Sequence, residues 1–189
     1  KDLNLNIMNN KNYKEISGCL IELAKSGAFD VIAHGVNCFC TQKAGLAPQM
    51  VNAFKTDTFK LEHPKYKGDI RKLGNIDYKL FFQEKEKFGG KWVQYPDEVN
   101  FMTGKQLVVI NAYTQFKYGR NHADGVKNPL DYEALTLCMR KINHTFVGKK
   151  IGLPKIGSNL AGGDWNIIKE IIKKELKDCD VTVVIYNKD

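Results

Sequence analysis

The glycine-rich stretch from Gly157 to Asp164 is the part of the sequence best suited to hold an anion. It follows a short apolar strand and precedes an amphipathic segment, Asn166 to Leu176, so the order is strand, loop, helix. Its glycines carry no Cβ, which allows positive φ and lets a ligand approach the backbone closely. The loop amides and the positive end of the following helix together favour a phosphate or diphosphate.

A histidine and an asparagine mark a second stretch that could do chemistry, His34-Gly35-Val36-Asn37-Cys38. An imidazole accepts or donates a proton near neutral pH, so His34 is a candidate general base or acid. The alternatives stay open from the residues alone. His34 could be a hydrogen-bonded core histidine, Asn37 could cap a turn, and Asp164 could be only the N-cap of the helix that follows it.

The five cysteines are an odd number without the spacing of a disulfide framework, which favours reduced thiols and a cytoplasmic protein. A zinc site formed by His34, Cys38 and Cys40 would lack a fourth ligand and a recognised spacing, so we expect no metal and no cofactor. Cys38 and Cys40 are interpreted as small packing residues, because nothing in the sequence indicates a nucleophilic thiol.

Strands and helices alternate along the chain, which predicts an α/β fold with a largely parallel sheet covered by helices on both faces. The predicted strands are Leu3–Ile7, Phe29–Asn37, Ile76–Phe82, Gln106–Ala112, Ile151–Leu153 and Val181–Tyr186. Helices are predicted from Tyr13 to Ala24, from Met50 to Phe54, after an Asn128-Pro129 cap, and from Asn166 to Leu176. The third of these helices should turn its apolar residues between Tyr132 and Ile142 inward. The fourth should carry an apolar stripe from Ile167 to Leu176.

Ligands of such sheets bind beyond the carboxyl ends of the strands. The loops expected there are Asn9 to Asn12, Asn37 to Ala47, Tyr113 to Lys127 and Gly157 to Asp164. These four loops should therefore line one cleft.

Length and composition favour a single domain over residues 1–189, with Gln83 to Lys105 as a candidate surface hairpin or insertion. The net charge of +8 favours an anionic partner. The lysines are dispersed and there is no stacking-aromatic motif, so we do not expect a nucleic acid partner. No apolar run is long enough to span a bilayer, and the oligomeric state stays open.

The sequence resembles the macrodomain family of ADP-ribose-binding proteins. The matching stretches are Ala33–Asn37 with Ala44–Ala47, and Leu153–Trp165. Within that family it looks most like the branch of yeast ADP-ribose 1''-phosphate phosphatase and the deacylating ADP-ribose hydrolases. The resemblance implies a three-layer α/β/α fold with a mixed, mostly parallel sheet.

The resemblance also implies a role for each matching residue. His34 and Asp164 would be catalytic together with Asn37, which would also bind the distal ribose. The implied substrate-binding residues are Asn10, at the adenine, and Asn37, Gly45, Leu46, Ala47, Thr114, Gly157, Ser158, Asn159, Leu160, Ala161 and Gly162.

The activity implied by the resemblance is hydrolysis of the phosphate of ADP-ribose 1''-phosphate, with a small-molecule ADP-ribose derivative as the partner. Two alternatives stay open. One is a non-catalytic ADP-ribose reader, and the other is a hydrolase that removes ADP-ribose from protein, nucleic acid or a signalling nucleotide. The lysine used by the deacylating relatives is replaced by Tyr113-Thr114-Gln115 here, which disfavours their mechanism.

Overall fold

The computed structural model describes residues 12–59, 67–83, 90–94, 105–119 and 128–187. Seven strands and four α-helices occur in these ranges. They are β1 (Tyr13–Ser17), α1 (Leu20–Lys25), β2 (Val31–Asn37), α2 (Ala47–Phe54), β3 (Ile76–Gln83), β4 (Trp92–Gln94), β5 (Gln106–Gln115), α3 (Tyr132–Thr145), β6 (Lys150–Leu153), α4 (Trp165–Glu175) and β7 (Asp180–Ile185). Short 3₁₀ turns lie at Thr56–Thr58 and Ile70–Lys72.

The strands form one mixed sheet in the order β1-β7-β6-β2-β5-β3-β4. The first five strands in this order are parallel, and β3 runs antiparallel to both β5 and β4. The predicted mixed, mostly parallel sheet is therefore confirmed. β4 falls inside the Gln83–Lys105 segment, and whether that segment is an insertion stays a prediction.

Helices cover both faces of the sheet, as the prediction of three layers requires. Alternate residues of one strand face opposite sides of the sheet, so the core has one part on each side. Val31 and Ala33 of β2 pack with α3 and α4, whereas Ile32 packs with α1 and α2. The even positions of β2 therefore place His34 on the face covered by α1 and α2.

The helix predicted from Tyr13 to Ala24 is wrong in its first part. Tyr13–Ser17 is β1, which pairs in parallel with β7, and only Leu20–Lys25 is helical. Pairing with β7 gives this segment backbone hydrogen bonds, and β-forming residues such as Tyr13 and Ile16 suit a strand. The predicted strand Leu3–Ile7 and the adenine candidate Asn10 lie outside the described residues.

Three other predictions need correction at the ends of elements. β5 continues to Gln115, so Tyr113 and Thr114 lie in a buried strand and not in a loop. The N-cap of α3 is Asp131, whose Oδ1 accepts a hydrogen bond from Ala134 N (2.9 Å), and not Asn128. Ile167 is 48% exposed, because the core-facing stripe of α4 is centred on Ile168 and Ile172.

Candidate functional site

Two loops meet at the carboxyl ends of β2 and β6. We name them the β2–α2 loop (Cys38–Leu46) and the β6–α4 loop (Pro154–Asp164). A Cβ placed on Gly45 would lie 3.5 Å from Leu160 Cδ1, so the two loops lie side by side. Gly45 and Leu160 therefore lie near each other, and Leu46 and Ala47 follow Gly45 at the start of α2. Substrate binding by these four residues stays a prediction.

The β6–α4 loop is closed on itself by backbone hydrogen bonds. Gly163 N donates to Gly157 O (2.8 Å), and Gly162 N donates to Asn159 O (3.0 Å). Gly157 has φ of +74°, and a Cβ on Gly163 would lie only 2.8 Å from Gly157 O. The glycines are therefore required by the geometry of the loop itself, and the loop leads directly into the positive end of α4.

Asp164 is the N-cap of α4. Its Oδ1 accepts a hydrogen bond from Asn166 N (2.8 Å), and its own amide donates to Tyr132 Oη (2.8 Å). The carboxylate is exposed and reaches the helix start, as a capping residue should. The capping alternative is therefore realised, and a catalytic role for Asp164 stays a prediction.

Asn37 organises the β2–α2 loop. Its Oδ1 accepts hydrogen bonds from Phe39 N (3.0 Å) and Thr41 N (3.2 Å), and its Nδ2 donates to Thr41 O (2.8 Å). These bonds form the side-chain turn that asparagine favours. The capping alternative is again realised, and a contact between Asn37 and a ribose stays a prediction.

His34 is buried in a hydrogen-bonded row that crosses the sheet. Its side chain is 2% exposed, and Nε2 lies 2.7 Å from Asn111 Oδ1. Asn111 Nδ2 donates to Thr56 O (2.9 Å), so Asn111 Oδ1 is the acceptor and His34 Nε2 carries the proton. Burial lowers the pKa of His34 to about 4. The imidazole is thus neutral at pH 7, with its lone pair on Nδ1.

The same row continues into a polar cluster that sequence reasoning missed. Asn111 of β5 pairs with His34 on one side and with Asp77 of β3 on the other. Asp77 Oδ2 accepts a hydrogen bond from Tyr113 Oη (2.6 Å), and burial raises the pKa of Asp77 to about 6. No spacing signal could have found this cluster, because its members come from three strands.

Thr114 lies below the cleft and not on its surface. It is 1% exposed, and within the described ranges its Oγ1 has no hydrogen-bond partner. A Cβ on Gly35 would lie 2.8 Å from that hydroxyl, which explains the glycine between His34 and Val36. A substrate contact by Thr114 stays a prediction.

Three of the five thiols are buried, and burial raises their pKa. The values are about 12 for Cys38, about 12 for Cys138 and about 11 for Cys179. In the part of the chain that the structure describes, no group of three or more His, Cys, Asp or Glu residues could hold a metal ion. Among the same residues, no helix is long and apolar enough to cross a membrane.

His34 and Asp77 should make opposite contributions to the pH dependence of stability. The pKa of Asp77 is raised on folding, so its contribution to stability falls as pH rises from about 4 to about 6. The pKa of His34 is lowered on folding, so its contribution rises from about pH 4 to about pH 6.5. Each contribution is on the order of 3 kcal/mol, so the two nearly cancel in the wild type.

Single substitutions should expose each contribution. As pH rises from 4 to 6.5, the free energy of unfolding of Asp77→Asn should increase relative to that of wild type, because only the contribution of His34 is left. The free energy of unfolding of His34→Gln should decrease relative to that of wild type, because only the contribution of Asp77 is left. Urea titrations at four pH values across this window measure both slopes. Parallel curves for all three proteins would contradict the assignment.

No family model matches the sequence. A search of curated proteins gives a phage relative, described as the uncharacterized 17.5 kDa protein in the tk-vs intergenic region of Enterobacteria phage T4. The two sequences are 30% identical over 179 residues, which is 90% of this chain and 94% of the phage protein. The chain belongs to the family of this phage protein.

Solved structures of macrodomains share the fold of this chain. The macrodomain of Thermus aquaticus DarG superimposes with a TM-score of 0.54 at 17% identity, covering 93% of this chain and 98% of that one. A Trypanosoma brucei macrodomain in complex with ADP-ribose gives a TM-score of 0.54 at 12% identity, covering 94% of this chain and 64% of that one. The chain therefore has the macrodomain fold, as the sequence predicted.

Proposed function

We propose that the protein binds an ADP-ribose derivative in the cleft between the β2–α2 and β6–α4 loops. The observation that carries the proposal is the closed β6–α4 loop, whose Gly163 N to Gly157 O bond and positive-φ glycines bring backbone close to the space above the sheet. A glycine-rich turn that opens a helix is suited to a diphosphate. The bound ADP-ribose of the Trypanosoma brucei macrodomain supports this choice of ligand.

The proposed ligand lies across the ends of the parallel strands. The diphosphate is assigned to the β6–α4 loop. The distal ribose is assigned to Asn37, at the end of β2, and to Gly45 of the β2–α2 loop. β1 ends at Ser17, so Gly18 and Cys19 follow the carboxyl end of that strand. The residues proposed to contact the diphosphate are Gly157, Ser158, Asn159, Leu160, Ala161 and Gly162.

The reaction proposed for this site is hydrolysis of ADP-ribose 1''-phosphate. Water attacks the phosphorus, the bond from phosphorus to the ribose oxygen breaks, and the ribose oxygen takes up a proton. His34 Nδ1 is the candidate base for the proton of that water, since Nε2 already carries a proton. Loop amides would hold the phosphates, and preorganised donors of this kind stabilise charge that develops during reaction.

A non-catalytic reader of ADP-ribose is the second candidate. The burial of His34 and its bond to Asn111 favour it, because a reader needs the loops but no exposed base. The two candidates share the ligand and differ only in turnover.

Calorimetry with ADP-ribose and an assay of phosphate release from ADP-ribose 1''-phosphate together test the proposal. The phosphatase assignment requires both binding of ADP-ribose and release of phosphate from ADP-ribose 1''-phosphate, measured without added metal. Binding without release would leave the reader or a hydrolase of another linkage. Absence of binding would refute the assignment of the ligand class.

A further inference from the structure

A lysine is buried beneath the β2–α2 loop. Lys72 ends the 3₁₀ turn Ile70–Lys72 and is 4% exposed. Its Nζ donates a hydrogen bond to Cys40 Sγ (3.3 Å) and lies 6.0 Å from the centre of the Tyr113 ring. Burying an ammonium is costly, and an apolar side chain of the same length would often be as stable or more so. The charge of Lys72 acts on the buried carboxyl of Asp77, and the direct hydrogen bond of its Nζ is to Cys40 Sγ in the β2–α2 loop.

Cys40 holds a strained turn in that loop. Its φ of +57° is in the left-handed region, which is unfavourable for a residue other than glycine. The Cys40 amide donates to Asn37 O (3.0 Å), and Cys40 Sγ lies 4.0 Å from Tyr113 Oη. Tyr113 is itself fixed by its bond to Asp77. The side chain of Cys40 thus ties the turn to buried groups that cannot easily move.

The segment of residues 67–75 anchors the same loop through its backbone. Gly68 N donates to Cys38 O (2.9 Å), and a Cβ on Gly68 would lie 2.8 Å from the Phe39 ring. The opposite end of the loop, at Gly45, meets the β6–α4 loop. The loop is therefore fixed at Cys38–Cys40 and meets the proposed diphosphate loop at its other end.

We infer that Lys72 is a positioning residue that, through Cys40, presets the β2–α2 loop for the distal ribose and thereby sets the preference for ADP-ribose over ADP. The inference rests on the proposed function, which assigns the distal ribose to this loop. A loop that is already ordered loses less conformational entropy when the ligand binds. ADP lacks the distal ribose, so its affinity should depend little on the order of this loop.

Calorimetry with ADP-ribose and with ADP on wild type, Lys72→Met and Lys79→Met tests the inference. Lys79 is the matched control, because it is an exposed lysine of β3 whose charge also acts on Asp77. Lys72→Met should weaken ADP-ribose binding about tenfold and change ADP binding less than twofold. Its thermal stability should not fall below that of wild type, and Lys79→Met should bind both nucleotides normally.

Two substitutions of Cys40 separate the sulfur contact from the backbone strain. Cys40→Ala removes the contact and keeps the strained φ, whereas Cys40→Gly removes the contact and relieves the strain. ADP-ribose affinity should fall in both variants, because both lose the sulfur contact that orders the loop, with ADP affinity unchanged. A loss in Cys40→Ala alone would assign the effect to backbone strain and overturn the inference.

The outcomes separate this inference from the proposed function. Equal losses of ADP-ribose and ADP affinity in Lys72→Met would show a general structural role and overturn the inference. Unchanged ADP-ribose binding in Lys72→Met would overturn it as well, while wild-type binding upholds the proposed function. A wild-type protein that binds neither nucleotide would overturn both.

Discussion

Gly157→Val should lower the affinity for ADP-ribose about 100-fold or more. A β-branched residue is a severe outlier at the φ of +74° found here, and a Cβ at this position would lie 2.8 Å from Leu130 Cδ1. The β6–α4 loop must rearrange, which removes amides from the proposed diphosphate. Losing one or two charge-assisted hydrogen bonds, each worth about 1.5–3 kcal/mol, corresponds to a loss of this size. Calorimetric titration of ADP-ribose measures it.

Gly148→Val is the matched control for this substitution. Gly148 has φ of +75°, and no heavy atom lies within 4 Å of the position of its Cβ. Both variants therefore carry the same backbone strain, and Gly157→Val adds the clash with Leu130, so it should lose more stability than Gly148→Val. Only Gly157→Val should lose affinity for ADP-ribose. Near-normal ADP-ribose binding by Gly157→Val would remove the β6–α4 loop from the proposed site.

His34→Gln should reduce phosphate release from ADP-ribose 1''-phosphate about 10²–10⁴-fold, the usual size of a general-base contribution. The glutamine amide can still donate to Asn111 Oδ1, but it offers no basic lone pair in place of Nδ1. The affinity for ADP-ribose should stay close to that of wild type. Rates of phosphate release under saturating substrate, together with calorimetry, separate these two effects.

His34→Ala and the pH profile complete the test of His34. His34→Ala should lose the same activity and also stability, because it leaves Asn111 Oδ1 without its donor in the core. With a pKa of about 4, His34 is already deprotonated above pH 5, so its titration should not change the rate between pH 5 and pH 8. Wild-type turnover by His34→Gln would assign His34 to the core alone and would require a different base for the reaction.

Much of the fold could be predicted because the decisive signals are local. The apolar runs of β2, β5 and β6 and the periodicity of α3 and α4 are properties of neighbouring residues in the chain. The glycines of the β6–α4 loop are equally local, since their conformational freedom and the following helix are both present in the sequence. The carboxyl-end rule for parallel sheets then predicted that this loop and the β2–α2 loop would come together.

Two of the errors occurred where a distant partner decided the conformation. Tyr13–Ser17 has helical spacing, but β7 lies beside it and offers a row of backbone hydrogen bonds. Tyr113 and Thr114 have a polar sequence context, but pairing of Tyr113 with Val36 of β2 continues the strand through them. Such pairings depend on the sheet order, which no local pattern contains.

The sequence by itself determined the alternation of strands and helices, the glycine loop and the likeness to macrodomains, because these follow from residue type and short-range spacing. Only the tertiary structure decided the environment of the titratable groups. It buried His34 beside Asn111, placed Asp77 in the same row and set Lys72 beneath Cys40. Burial and charge partners shift a pKa and restrain a loop, and both depend on residues that are far apart in the chain.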